Sequence, residues 1–439
     1  MKRKIYQKLL KWKNSSQRKP LVLMGARQVG KTYLVNLFGN NEYQSVVYGL
    51  LEGNEILQNC FDILDTNIII DKISAVTKKK IIKNETLIIL DEIQSCPKAL
   101  TSLKIFCEQN NNYHIIALGS LLGLATHRDN YSYPVGKVDM MEMFPLDFEE
   151  FLMANNENDL LNKIQNSYYE NISLDTTYHN IALDYYKKYL FVGGMPEVVK
   201  IYIDENNLEL VNIKQQEIIK QYLSDMNKYN SEAEKGKTQL VYNNISRQLA
   251  KQNKKFKYSL IKSSARARDY EEAIEWIELA GIANKIYKLE QIKLPLNAYT
   301  SLSDFKVYMN DVGLLTAIGN LSFEDIYNEN ELLYDYLGGL TENYVYNQLK
   351  QNHMELYYWV NGDYAEVDFV TRISQDIVPI EAKSGIHTNS KSLNKYIEAF
   401  NPNYAIRISE KNFGFENNIK SVPLYAVFCI NNWQHISWK

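Results

Sequence analysis

The chain contains the stretch Gly25-Ala-Arg-Gln-Val-Gly-Lys-Thr32, which decides the fold of its N-terminal part. The apolar run Pro20–Met24 before it predicts a buried strand, and Tyr33–Phe38 after it has the apolar spacing of a helix. Between them, the pattern G-x-x-x-x-G-K-T points backbone N–H groups into a concavity that holds phosphate oxygens, and the helix N-terminus adds partial positive charge. We therefore predict an ATP site in which Lys31 reaches the β- and γ-phosphates and the Thr32 hydroxyl ligates Mg²⁺.

Two further apolar strands complete the predicted nucleotide site. Thr86–Leu90 is typical of a central parallel strand, and it ends in Asp91 and Glu92 at the edge where such sheets bind ligands. We predict that Asp91 holds the magnesium shell and that Glu92 orients and deprotonates the attacking water; the alternative is a solvated strand end. A third strand, His114–Gly119, leads to Ser120, which either senses the γ-phosphate or caps a helix. The residues predicted to contact the nucleotide are Gly25, Ala26, Arg27, Gln28, Val29, Gly30, Lys31, Thr32, Tyr33, Asp91 and Ser120.

Composition sets the broad class of the protein. With 439 residues, 45% of them hydrophobic and 23% charged, the chain suggests a globular protein of two to four domains. The net charge of −3 gives no global field for nucleic acid, so any such surface is local. The four cysteines lack close paired spacing, which argues against a zinc site or a disulfide framework. No apolar stretch has membrane-spanning length, and we expect a cytoplasmic protein without a membrane partner.

The segment after the third strand reads as increasingly helical. Pro145–Leu152 begins a predicted helix with Asp147 as its N-cap. The polar, Asn-rich stretch Asn155–Asn171 predicts loops and a helix end. Asp184–Asn227 predicts helices interrupted by the turn Gly193–Pro196, and we place it as a helical lid on the nucleotide domain.

The middle of the chain has the element order of a winged helix. Leu240–Leu249, Ser259–Ala267 and Tyr270–Ala280 predict three helices, and Ile282–Leu289 alternates like a strand. The segment Arg247–Arg268 carries eight Lys or Arg residues and no carboxylate, which favours contact with DNA phosphates. The alternatives are a solvated helix face, an internal domain contact, or a protein-binding module.

The C-terminal part carries charged residues at the ends of predicted elements. These elements are a helix over 340–349 and strands over 356–360, 365–370 and 378–383. Glu381 and Lys383 share one face of their strand because they are two residues apart. If the strands pair, Asp368 lies beside them and Glu342 approaches from the helix. Three carboxylates there predict a Mg²⁺ site in which Lys383 stabilises charge on a hydroxide or phosphate; the alternative is structural charge pairing.

The motif set resembles, over essentially the full chain, the prokaryotic AAA-type ATPases with a C-terminal domain of unknown function. The segments that carry this resemblance are Gly25–Thr32, Leu90–Gln94, Gly119–Ser120, Phe144–Phe151, Val192–Glu197 and Tyr308–Leu314. The terminal set Glu342, Glu366-Val-Asp368 and Ile380–Lys383 resembles the PD-(D/E)xK nuclease signature, which implies a restriction-endonuclease-like core. The chain has Gly136-Lys137 where the family often shows Gly-Arg, and lysine lacks arginine's bidentate fork.

This resemblance implies an α/β fold of four domains, with ATP hydrolysis coupled to action on DNA or on a protein partner. The domains are a P-loop ATPase core at 1–153, a helical lid at 154–230, a winged-helix-like domain at 231–325 and a nuclease-like domain at 331–439. Three interpretations follow: an ATPase that drives a DNA-acting module, a nucleotide switch whose C-terminal part only binds DNA or protein, and an assembly protein that binds ATP for stability. The resemblance also admits an oligomer, with Arg128 as a candidate trans-acting arginine because it follows the third strand.

Overall fold

The computed structural model describes residues 1–120, 134, 136–229, 232–251, 254–328, 331–362, 365–386 and 391–431. The chain divides into two compact units. We call them the N-terminal unit, Lys2–Phe144 with Trp276–Ile282, and the C-terminal unit, Pro145–Glu275 with Ala283–Lys439.

The N-terminal unit is built on a five-stranded parallel sheet in the order β2-β3-β4-β1-β5. Its strands are β1 (Leu21–Met24), β2 (Ser45–Leu50), β3 (Thr86–Asp91), β4 (His114–Gly119) and β5 (Asp139–Glu142). Its helices are α1 (Ile5–Asn14), α2 (Lys31–Glu42), α3 (Glu55–Gln58), α4 (Thr66–Thr77) and α5 (Pro97–Gln109). Every residue of β3 and β4 is buried, as their continuous apolar runs predict. The predicted strand–loop–helix order around the glycine-rich stretch is confirmed.

Helices dominate the first part of the C-terminal unit. They are α6 (Phe148–Ala154), α7 (Asn158–Glu170), α8 (Thr176–Val192), α9 (Pro196–Glu205), α10 (Leu208–Tyr229) and α11 (Glu232–Leu249). The predicted N-cap of α6 is confirmed, because Asp147 Oδ1 accepts from the Glu150 N–H at 2.8 Å and a capping box forms. The predicted loop over residues 155–171 is wrong. Leu160, Leu161 and Ile164 have helical spacing and are buried, so α7 forms despite the Asn content.

One predicted helix in the middle segment is also wrong. A short 3₁₀ helix at Tyr258–Leu260 is followed by turns and irregular structure over residues 261–266, and none of the residues 259–267 is buried. This stretch lacks an apolar face, so packing supplies nothing to hold a helix. The next helix, α12 (Ala267–Leu279), agrees with the prediction for Tyr270–Ala280.

Strands and helices alternate through the rest of the C-terminal unit. The strands are β6 (Ala283–Leu289), β7 (Thr300–Met309), β8 (Tyr357–Asn361), β9 (Ala365–Ile373), β10 (Asp376–Ala382), β11 (Ala405–Ser409), β12 (Gly414–Glu416) and β13 (Ile419–Pro423). The helices are α13 (Val312–Ile318), α14 (Phe323–Tyr327), α15 (Tyr334–Gln351) and α16 (Lys391–Phe400). The other 3₁₀ helices among the described residues are Asn59–Phe61, Ile93–Ser95, Leu296–Tyr299, Glu331–Leu333 and Leu424–Cys429.

These eight strands form one sheet in the order β12-β13-β11-β10-β9-β8-β6-β7. The antiparallel hairpin β6–β7 joins the later strands through a parallel pairing of β6 with β8. The strands β8, β9 and β10 are antiparallel neighbours, and β10 pairs in parallel with β11. The strand predicted over Ile282–Leu289 is observed as β6, and it lies in the same sheet as the strands that carry the C-terminal carboxylates.

Across the described helices, none combines the length and the apolar character that crossing a membrane requires.

Candidate functional site

The glycine-rich loop between β1 and α2 depends on two glycines. Gly25 has φ +147°, and a Cβ built on it would lie 2.2 Å from the Met143 carbonyl oxygen. Gly30, just before α2, has φ +91°. Side-chain-bearing residues rarely adopt these values, so the loop conformation requires glycine at both positions. The loop therefore brings its backbone to the N-terminus of α2, where an anion is favoured.

Lys31 lies folded against this loop. Its side chain is largely buried, and Nζ donates to the carbonyl oxygens of Gly25 and Ala26, each at 2.8 Å. Burial lowers the pKa of Lys31 to about 8, although the nearby Glu92 and Asp91 oppose the shift. Carbonyl dipoles compensate a buried ammonium only in part, so an anion bound at this loop would stabilise its charge further.

The rest of the loop faces solvent to different degrees. Val29 is buried, whereas Tyr33, in the first turn of α2, is 67% exposed. Gln28 adopts φ +66°. Arg27 Nη2 lies 3.9 Å from Glu52 Oε2, and both side chains are partly exposed. Arg27 and Tyr33 therefore lie on the solvent-exposed side of the glycine-rich loop.

The oxygens predicted to hold magnesium meet directly. The Thr32 hydroxyl donates to Asp91 Oδ2 at 2.8 Å, which brings α2 and the end of β3 together. The Tyr48 hydroxyl donates to the same oxygen at 2.9 Å, and the Glu92 N–H donates to Asp91 Oδ1 at 2.9 Å. Sequence reasoning missed Tyr48. The sequence feature that could have indicated Tyr48 is its hydroxyl group near the end of β2, the strand next to β3.

Glu92 follows β3 in a left-handed conformation, with φ +53°. Its carboxylate accepts from the Ser120 hydroxyl, at 3.0 Å to Oε2, and from the Gln94 side-chain amide. Ser120 at the end of β4 therefore contacts the predicted base. Its alternative role as a helix N-cap concerns residues 121–133, which lie outside the described residues, as does Arg128. Lys137, at the position of the family's arginine, has Nζ 2.9 Å from Glu108 Oε1.

A second group of functional side chains lies in the C-terminal unit. Glu342 on α15 and Glu366 and Asp368 on β9 each offer a carboxylate oxygen, and these oxygens lie within 4.8 Å of one another. Glu381 lies on β10, the strand next to β9, and its negative charge helps to raise the pKa of Asp368. Asp368 Oδ2 accepts from the Ala382 N–H, which follows Glu381, at 2.9 Å. We call Glu342, Glu366, Asp368 and Glu381 the carboxylate cluster. Glu366 was part of the quoted motif but was not predicted as a ligand.

Three lysines neutralise most of this negative charge. Lys306 on β7 is fully buried, donates to Glu342 Oε1 at 2.7 Å and is ion-paired with Glu366. Lys254 is ion-paired with Glu342 Oε2. Lys383 Nζ lies 2.7 Å from Glu381 Oε1, as expected for two residues on one strand face. Four carboxylates facing three ammonium groups leave about one negative charge when all are ionised.

The pKa values of two carboxylates in the cluster are shifted in opposite directions. Burial raises the pKa of Asp368 to about 7, helped by Glu342 and opposed by Lys254 and Lys306. For Glu342 burial acts in the same direction, but the two lysines outweigh it and lower the pKa to about 2.

The donor set fits a hard divalent cation. All four side chains offer oxygen, which Mg²⁺ prefers. Glu381 Oε2 is buried, and within the described part of the chain it has no hydrogen-bond partner. A buried carboxylate oxygen without a donor is unfavourable, and a cation would satisfy it.

The basic segment Arg247–Arg268 is partly used inside the protein. Lys254 is ion-paired with the carboxylate cluster, and Lys255 with Asp304. Lys257, Lys262 and Arg266 are exposed, so they carry much of the charge that this segment presents to solvent. Sequence reasoning missed these internal partners, since they lie far away along the chain.

Comparison with known families supports the reading of the N-terminal unit. Residues 17–152 match a family described as an AAA domain. Residues 183–325 and 337–427 match families described as domains of unknown function, DUF8612 and DUF4143. No curated protein matches the chain.

Several solved structures are similar to the chain. The Walker-type ATPase PABY2304 of Pyrococcus abyssi is 14% identical, with 72% of this chain and 95% of that chain covered and a TM-score of 0.45. The ORC1 protein of Aeropyrum pernix, solved in complex with DNA, is 12% identical, with coverages of 72% and 90% and a TM-score of 0.28. AMPPCP-bound DnaA from Aquifex aeolicus is 13% identical, with coverages of 63% and 89% and a TM-score of 0.24. The family match identifies an AAA domain in residues 17–152 and supports an AAA-type ATPase.

Proposed function

We propose that the chain binds Mg-ATP at its glycine-rich loop, hydrolyses it, and couples the nucleotide state to DNA binding or cleavage by the C-terminal unit. The observation that carries the ATPase proposal is the meeting of Thr32 and Asp91 oxygens beside the buried Lys31. A helix N-terminus, a buried cation and paired oxygen ligands are what a triphosphate with its metal requires.

Each side chain then has a separate task in hydrolysis. Lys31 exchanges its two carbonyl partners for β- and γ-phosphate oxygens. Thr32 and Asp91 would hold Mg²⁺, which neutralises charge that develops on the phosphates. Glu92 takes a proton from the attacking water, and Ser120, which touches the Glu92 carboxylate, is placed to report the γ-phosphate to it.

Binding and turnover are tested separately. Lys31→Ala should abolish measurable ATP binding in calorimetry, because the point charge on the phosphates is lost. Glu92→Gln should keep ATP affinity and lose phosphate release, because the amide cannot accept the proton. Lys104→Ala, which changes an exposed lysine on α5, is the matched control. Wild-type ATP affinity in Lys31→Ala would refute the role of Lys31 in binding the phosphates. Wild-type turnover in Glu92→Gln would refute the role of Glu92 as the general base.

For the C-terminal unit we propose a PD-(D/E)xK-like site that acts on DNA. The orphan oxygen Glu381 Oε2 supports cation binding. Glu342 and Asp368 have carboxylate oxygens within 4.8 Å of each other, and these two residues would hold the ion together with Glu381. Such an ion lowers the pKa of bound water and polarises a phosphodiester. Lys383, on the same strand face as Glu381, would stabilise negative charge on the hydroxide or the phosphate.

Nicking of supercoiled plasmid with Mg²⁺ or Mn²⁺, with and without ATP, tests this proposal. Asp368→Ala and Lys383→Ala should abolish cleavage, and Lys411→Ala, which changes an exposed lysine of the same unit, should leave it unchanged. Cleavage that persists in both site variants would indicate a contaminating nuclease. If the wild-type protein binds DNA without nicking it, the C-terminal unit binds DNA but does not cleave it.

The second candidate function is a nucleotide switch whose C-terminal unit binds DNA or protein without chemistry. The near-complete neutralisation of the carboxylate cluster by three lysines favours it. For DNA, each phosphate contact lowers log K by about 0.9 per tenfold increase in salt. Replacing the exposed Lys257, Lys262 and Arg266 with Gln should flatten that slope. Phosphate release measured with and without DNA then tells whether the two activities are coupled.

A further inference from the structure

The two oxygens of Glu342 have different partners. Oε1 accepts from Lys306 Nζ at 2.7 Å and from the Tyr308 hydroxyl. Oε2 accepts from Lys254 Nζ, and no other described side chain or backbone group is recorded as a donor to it. Loss of the Lys254 contact therefore frees one oxygen of Glu342 while the other keeps both of its donors.

The two lysines that contact Glu342 are held to different degrees. Lys306 lies within β7, is fully buried, is ion-paired with Glu366 and lies 5.0 Å from the centre of the Tyr358 ring. Lys254 lies between α11 and the short 3₁₀ helix at Tyr258–Leu260, and its side chain is 16% exposed. The Lys254 ammonium group can therefore move from Glu342 into solvent at a moderate cost in free energy, whereas that of the buried Lys306 cannot.

We propose that Lys254 is a removable counter-cation that competes with a divalent cation for Glu342 Oε2. This inference rests on the proposed cation site in the carboxylate cluster. An ammonium group and a divalent ion on the same oxygen would repel each other strongly in a buried site. Cation binding at Glu342 Oε2 therefore requires Lys254 to swing out.

The release of Lys254 has a direct consequence for the basic segment. Once its ammonium group leaves Glu342, its charge adds to that of the exposed Lys257, three residues further along the chain. A free ammonium group favours a phosphodiester, so an anion near Lys254 and a cation in the cluster stabilise each other. This coupling is reciprocal, because each ligand shifts the same two-state side chain.

Mn²⁺ binding to the full-length protein tests the inference. The measurements use calorimetry without nucleotide in an Asp91→Asn background, so that the nucleotide site loses its charged metal ligand. Lys254→Gln should tighten Mn²⁺ binding by about tenfold or more, since it removes one opposing charge from a low-dielectric site. Lys255→Gln is the matched control, because the neighbouring lysine is ion-paired with Asp304 outside the cluster. It should leave the affinity unchanged.

The outcomes separate the two proposals. Absence of Mn²⁺ binding in both the parent and Lys254→Gln proteins would refute the cation site itself. Binding in the parent that Lys254→Gln leaves unchanged or weakens would overturn only the counter-cation role. A direct readout is the rate at which each lysine amine is acylated, mapped by tandem mass spectrometry. Mn²⁺ should increase the reactivity of Lys254 and leave Lys255 unchanged, and an unchanged Lys254 would also overturn the inference.

Discussion

Replacing Lys306 with Met tests the buried ion pair that joins β7 to α15. Met keeps much of the volume of lysine but carries no charge. Lys306 is fully buried and Glu342 nearly so, with Nζ and Oε1 2.7 Å apart, and Glu366 loses the same partner. Removing one member of a buried pair leaves an uncompensated charge and costs roughly 3–5 kcal/mol of unfolding free energy. Because Lys254 and Tyr308 still contact Glu342, we expect a value near the lower end.

Lys188→Met is the matched control in the same unit. Lys188 Nζ lies 2.6 Å from Asp184 Oδ2, a similar distance, but the two side chains are 30% and 32% exposed. Pairs of that exposure contribute about 1 kcal/mol or less. The difference between the variants therefore isolates the effect of burial on pairs of similar geometry.

Urea denaturation combined with hydrogen exchange at the α15 amides measures both variants, since the exchange reports on the C-terminal unit rather than on the whole chain. Adding Glu342→Gln to Lys306→Met should restore part of the lost stability, because the stranded charge is then removed. If Lys306→Met costs no more than Lys188→Met, the buried pair does not carry the stability assigned to it.

Three further predictions concern other positions. Gly25→Ala should weaken ATP binding by more than tenfold in a fluorescent-nucleotide titration, since its Cβ would lie 2.2 Å from the Met143 carbonyl oxygen; unchanged affinity would show that the loop adapts. Tyr48→Phe removes one donor to Asp91, worth about 1 kcal/mol, so the Mg²⁺ concentration that half-saturates ATP hydrolysis should change about fivefold. Burial raises the pKa of Asp311 to about 6 from an ordinary 3.8, so the folded state holds its proton more tightly than the unfolded state does. The stability that this shift contributes is fully present below pH 3.8 and is lost as the pH rises through about 6, a change of roughly 3 kcal/mol. Asp311→Asn should therefore flatten the dependence of the unfolding free energy on pH in this range, measured by urea denaturation. An unchanged slope would refute the assignment to Asp311.

Local sequence patterns predicted the strands and the glycine-rich loop of the N-terminal unit well. The strands β3 and β4 have continuous apolar runs, which few structures other than a buried parallel strand accommodate. The glycine-rich stretch also predicted the strand before it and the helix after it, because the loop that joins these two elements requires Gly25 and Gly30. By contrast, α7 was missed since polar composition was given more weight than the helical spacing of its buried leucines.

The carboxylate cluster was predictable only in part. Strand periodicity placed Glu381 and Lys383 on one face, and the observed ion pair agrees with that placement. The partners of Glu342 were not predictable, because they depend on how β7 joins the sheet. The acid-free segment around Lys254 favoured contact with DNA and left an internal contact as an alternative, and the carboxylate partner of Lys254 lies 88 residues further along the chain. Charge patterns along a sequence do not reveal such neighbours.

The parallel pairing of β6 with β8 has a consequence for synthesis of the protein on the ribosome. The hairpin β6–β7 emerges first, and α13, α14 and α15 follow before Tyr357–Asn361 becomes available. During that interval the outer edge of β6 lacks the strand that covers it in the finished sheet, and open edges are sites of aggregation. A nascent chain that ends between Gln351 and Tyr357 would therefore carry an uncovered edge, together with a Lys306 that lacks its partner Glu366. Because the middle and terminal segments share one sheet, a chain cut between them would leave both parts with an unpaired strand edge.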